Sequence, residues 1–76
     1  MRVEALREVI HAQPFRPFTI VLATGERLLA HHPEFIFAPP GERTAWLVDR
    51  DRRTHMIDVG LVVKLELEPS EEVTHG

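Results

Sequence analysis

The 76-residue chain reads as a mainly β domain, with an N-terminal α-helix followed by a five-stranded, strongly bent antiparallel barrel. Three observations predict this. Apolar residues recur at spacings of three and four only before residue 13, after which the period drops to two. Proline, glycine and charged clusters then cut the chain into short runs at regular spacing. Bending lets short strands close most of their edges, which a flat sheet cannot do.

Val3, Leu6 and Ile10 form the helical stripe, with Val9 flanking it and Arg2, Glu4, Arg7 and Glu8 on other faces. So short a helix does not hold in water alone, and its stripe requires a partner surface. Gln13 precedes Pro14, which disfavours further helix and sets the stop near Ala12. Pro14-Phe15-Arg16-Pro17 is a stiff extended connector. Phe18, Ile20 and Leu22 then share one strand face, and Thr19, Val21 and Ala23 the other. Thr24-Gly25 suits a hairpin turn, because glycine supplies the positive φ such turns need. The return strand, 26–32, sets Leu28, Ala30 and His32 against Leu29 and His31. It bends at Pro33, which cannot donate to a ladder, and resumes through Phe35-Ile36-Phe37. Pro39-Pro40-Gly41 is a loop. In the strand over 44–49, Ala45 and Leu47 oppose Thr44, Trp46 and Val48. A charged turn over 49–52 leads to His55, Ile57 and Val59, alternating with Thr54, Met56 and Asp58. After Gly60, Leu61, Val63, Leu65 and Leu67 alternate with Val62, Lys64, Glu66 and Glu68, and Pro69 ends the strand. The domain therefore spans 1–69, and 70–76 is expected to be a disordered acidic tail.

Composition narrows the function classes. Without cysteine there is no disulfide framework, thiol nucleophile or zinc ribbon. No apolar run approaches a membrane span and the N-terminus lacks a signal-peptide core, so the expectation is a cytoplasmic module with no membrane partner. Nine basic against twelve acidic side chains leave a charge of −3 and no global field to recruit nucleic acid. Folding a monomer of this mass buries apolar surface worth about 120 kcal/mol, against an ordering cost of about 115 kcal/mol. Subunit association would add to so narrow a balance.

The order of a helix and five strands resembles the Sm-like family of SH3-like small barrels. Ile20-Val21-Leu22-Ala23-Thr24-Gly25 is similar to that family's first hairpin, and Gly60-Leu61-Val62-Val63-Lys64-Leu65 to its closing strand. The resemblance covers 3–67 and implies rings built by edge-strand pairing, with RNA as the ligand. The family reads uridine with an asparagine after the second strand, and this chain contains no asparagine. Val59 stands where the family carries a basic residue before the closing glycine. The stacking aromatic would fall to Phe35 or Phe37, which alternation assigns to the core. The resemblance thus implies the barrel without its RNA site. Closer still, Pro-Phe-Arg-Pro-Phe at 14–18, His-Pro-Glu-Phe at 32–35 and Ile-Asp-Val at 57–59 look like phrases shared by a group of short bacterial proteins with no assigned activity.

Chemistry-bearing residues are sparse. His31 and His32 leave opposite faces of a strand, so they cannot easily chelate one metal. His32, Glu34 and His55 are the candidate metal ligands, but nothing in their spacing makes three of them converge at the required distance of about 2.0–2.2 Å. Ser70 is the only serine, and tyrosine is absent, so no nucleophile accompanies the acid–base pairs that His32 or His55 could form with Glu34 or Asp58. Arg50, Arg52 and Arg53 could meet phosphate from a hairpin tip, although Asp49 and Asp51 interleave with them. Trp46 serves either as core or as a partner anchor. The expectation is a non-enzymatic binding or assembly module without cofactor, self-associating or binding a protein. Its rivals are an RNA-binding ring reading RNA through His31, Arg50, Arg52 and Arg53, and a metal-dependent activity at His32, Glu34 and His55.

Overall fold

A computed structural model describes residues 1–69; the expected tail at 70–76 lies outside the described residues. Helix α1 (Val3–Ile10) buries Val3, Leu6 and Ile10, the stripe read from the sequence. Its outer side is tied down by the Arg7 guanidinium, which donates to the Ala38 carbonyl. The Met1 ammonium reaches the Val62 carbonyl at 3.3 Å.

The strands are β1 (Phe18–Leu22), β2 (Arg27–Ala30), β3 (Ile36–Phe37), β4 (Thr44–Val48), β5 (Thr54–Asp58) and β6 (Val62–Leu67). They form two three-stranded antiparallel sheets, in the order β2-β1-β6 and β3-β4-β5. The mainly β class and the single N-terminal helix agree with the sequence. Six strands in two sheets replace the expected five, and no closed barrel forms. The extra strand arises at Pro33, where the expected bend becomes a full 3-10 turn over Pro33–Phe35 that separates β2 from β3. Proline offers no N–H to a ladder and suits the start of such a turn. A second 3-10 turn, Val59–Leu61, delivers the chain from β5 to β6.

The closing strand departs from clean alternation. Val21 pairs with Lys64 but Leu22 with Val62, so Val63 is the extra residue of a bulge. Val62 is therefore buried, while Val63 and Leu61 are exposed, reversing the faces that simple alternation gives. One continuous core remains, drawing Leu6 from α1, Phe18 and Ile20 from β1, Leu47 from β4 and Val59 from the second 3-10 turn.

On the outer face of the first sheet, Arg27 of β2 and Lys64 of β6 both pair with Glu66. The hydrogen bond from Arg27, then that from Lys64, brings the Glu66 carboxyl down from 4.5 to about 2. A carboxyl held low in the fold stabilises it above its unfolded value, and that contribution disappears as pH falls through the folded one. Glu66→Gln is therefore expected to flatten the dependence of stability on pH between 4.5 and about 2. Urea midpoints taken at stepwise pH check this, and high salt should shrink the difference because the pair is exposed.

Candidate functional site

Strand β4 alternates strictly. Ala45 and Leu47 enter the core, leaving Thr44, Trp46 and Val48 on the outer face. Trp46 pairs with Phe37 of β3 on one side and with Met56 of β5 on the other. The Phe37 and Trp46 rings lie 6.2 Å apart at 30°. Phe37 is 62 % exposed and Met56 72 %, so three large apolar side chains cross the sheet in a row facing solvent. Trp46 thus belongs to a surface stripe and not to the core. Phe35 and Phe37, expected inside, are exposed as well, because Ile36 between them takes the core position. Counting the alternation from Ile36 instead of Phe35 would have found them.

At one end of this face stands the β4–β5 hairpin, which Asp49 organises. Its Oδ1 accepts from the backbone N–H of Asp51 at 2.8 Å and of Arg53 at 3.0 Å. Its Oδ2 lies 2.9 Å from His55 Nε2. The bond to His55, then that from Arg53, holds the Asp49 carboxyl below its ordinary value. The sequence reading gave Asp49 only the role of cancelling neighbouring charge. Its carboxylate is instead committed to the turn.

Of the nine lysine and arginine side chains, six are engaged: Arg2 with Glu4, Arg7 with the Ala38 carbonyl, Arg16 with the Glu68 carbonyl, Arg27 and Lys64 with Glu66, and Arg43 with Asp58. Arg50, Arg52 and Arg53 have no ion pair or side-chain hydrogen bond among the described residues. The three cations left over share one hairpin tip.

That tip has a twin elsewhere in the chain. In the first hairpin Leu22 N–H donates to Glu26 and Gly25 N–H to Leu22; in the second Asp49 N–H donates to Arg53 and Arg52 N–H to Asp49. Each is a three-residue loop whose last residue is left-handed, Gly25 at φ 92° and Arg52 at φ 65°. Glycine adopts this conformation freely, whereas a side chain there costs about 1–2 kcal/mol.

Beside the tip, His31, Phe35, Val48, Asp49, Arg50 and Arg52 line a groove of about 410 Å³. The His31 and Phe35 rings stack at 4.8 Å and 22°, and Phe35 is 40 % exposed. His31 Nδ1 is buried with no hydrogen-bond partner among the described residues. Three of the four residues named for reading RNA, His31, Arg50 and Arg52, thus meet here; Arg53 does not line the groove.

The metal candidates do not come together. His32 Nδ1 accepts from Glu34 N–H at 3.2 Å, capping the 3-10 turn, and His55 pairs with Asp49. Among the described residues no group of three or more His, Asp or Glu side chains is arranged to hold a metal ion. No helix among them is long and apolar enough to cross a membrane. No protein family, curated protein or solved structure matches the chain.

Proposed function

We propose that this protein is a small non-enzymatic binding and assembly module that self-associates through the Phe37–Trp46–Met56 stripe. The single observation that carries the proposal is the stripe itself, three adjacent apolar side chains on the solvent side of a three-stranded sheet. Scattered exposed hydrophobics are ordinary, but a contiguous row with a tryptophan at its centre has the composition of an interface core. Its occupant is a second copy of the chain. The near-balance of burial against ordering cost gives association a thermodynamic reason, and the exposed Val63 lies on β6, an edge strand open to pairing, with the exposed Leu61 in the turn just before it.

The SH3-like reading of the architecture belongs to the same proposal. If the turn at Pro33–Phe35 is taken as a corner within one long strand, the two sheets become a single strip, β6-β1-β2/β3-β4-β5. The 3-10 turn over Val59–Leu61 makes the abrupt corner before the last strand that so strongly bent a strip needs.

Light scattering over a concentration series tests the association. The mass is expected to rise above 8.7 kDa with concentration, and Met56→Glu, which places a charge in the stripe without touching the core, is expected to return it to the monomer value. A parent chain that stays monomeric up to high micromolar concentration would refute self-association.

A further inference from the structure

We infer that the groove between Phe35 and the β4–β5 hairpin binds a nucleotide, with the base stacked on Phe35 and the phosphate held by Arg50 and Arg52. Four observations converge on this ligand chemistry, and none depends on self-association.

The groove falls in the size range of small-ligand sites and is lined by a few polar groups around an apolar wall. Its wall includes the His31–Phe35 stack, with His32 edge-on to Phe35 at 5.9 Å, and the partly exposed Phe35 ring is an aromatic surface of the kind on which a base stacks. Arg50 and Arg52 line the groove, neither guanidinium has a protein partner among the described residues, and guanidinium forks match phosphate oxygens in bidentate geometry. Asp49, the one acid in the lining, does not compete for them, because both its oxygens are used inside the hairpin. A free phosphate would use the arginines alone, and an apolar ligand the rings alone. A nucleotide uses both.

Arg52 adds the fourth observation. The chain places glycine at the equivalent position of its other three-residue hairpin, yet keeps an arginine in the left-handed conformation here. Backbone strain retained at a groove rim is a recurrent mark of a functional position. Stability alone would favour glycine at this site, so a contribution of the guanidinium to binding is what offsets the strain.

The test is titration of the isotopically labelled full chain, followed by NMR, with AMP, inorganic phosphate and a short single-stranded oligoadenylate RNA. AMP is expected to shift the resonances of His31, Phe35, Arg50 and Arg52, with inorganic phosphate binding at least about tenfold more weakly for want of the stack. Arg52→Gly is expected to raise the melting midpoint by a few degrees while weakening AMP about tenfold. Arg50→Gln, at the exposed tip, is expected to weaken AMP by a similar factor with the midpoint unchanged. The RNA arm separates the two sources of the ligand: tighter binding of the oligomer assigns the groove to a strand, and equal binding to the free nucleotide. Absence of AMP shifts at these residues, equal affinity for phosphate and AMP, or undiminished binding by Arg52→Gly would each overturn the inference. Light scattering of the same samples reports self-association separately, so either proposal can fail alone.

Discussion

Phe18→Ala is expected to remove much of the stability of the domain. Phe18 is the largest fully buried side chain, at the start of the central strand β1, where its backbone pairs with Ala30 on one side and Leu67 on the other. Its ring packs against Phe15 of the connector at 6.0 Å and 57°, so truncation opens a cavity between the sheet and the chain leading into it. Deleting a buried phenyl ring costs about 3–5 kcal/mol. A domain of this length holds about 4–11 kcal/mol in total. The melting midpoint should therefore fall by roughly 15–30 °C. Phe18→Leu, which keeps most of the apolar volume, should lose much less, and Glu8→Ala on the exposed side of α1 should stay within about 0.5 kcal/mol. Thermal melts followed by circular dichroism check all three. A midpoint for Phe18→Ala close to that of the parent would mean that the core does not centre on β1.

Sequence periodicity located this core well, because most of the fold obeys one rule at a time. Val3, Leu6 and Ile10 are helical at spacings of three and four, and Phe18, Ile20, Ala45, Leu47 and Ile57 alternate without interruption. The errors fall where two rules compete. At Pro33 the missing N–H ends one ladder and a turn separates β2 from β3, yet the buried positions keep their parity, Leu28 and Ala30 before the turn and Ile36 and Ala38 after it, so the bulky Phe35 and Phe37 lie on the surface and the smaller residues between them fill the core. At Val63 a bulge inserts one residue, which no local pattern marks, and Val62 turns inward. The candidate site was legible in part. Residue type alone marks His31, Arg50 and Arg52, but their meeting at one groove depends on how the corner at Pro33 folds against the β4–β5 hairpin. Nor could charge counting find the free cations. Asp49 stands next to Arg50 in sequence, while its carboxylate faces its own turn and His55 in space.

Leu47→Ala and Trp46→Ala, neighbours on β4, are expected to fail in opposite ways. Leu47 is fully buried on the inner face, paired across the strands with Ile36 and His55. Its truncation should cost about 2–5 kcal/mol, the range for buried leucine, and appear as an early melt. Trp46 projects from the other side of the same strand, between Phe37 and Met56. Removing its indole loses one stacked contact and the packing of a half-buried ring, so the monomer should retain most of its stability. The same deletion takes the centre out of the proposed interface, where a tryptophan is commonly worth about 2 kcal/mol or more. Self-association should therefore weaken by about thirtyfold or more. Paired melts and light scattering on the two variants measure both quantities. If Leu47→Ala and Trp46→Ala lost stability alike and Trp46→Ala still associated, the stripe would be an ordinary part of the sheet surface and assembly would have to run through another edge, such as β6. The two sides of one five-residue strand thus separate what holds the domain together from what it presents to a second copy.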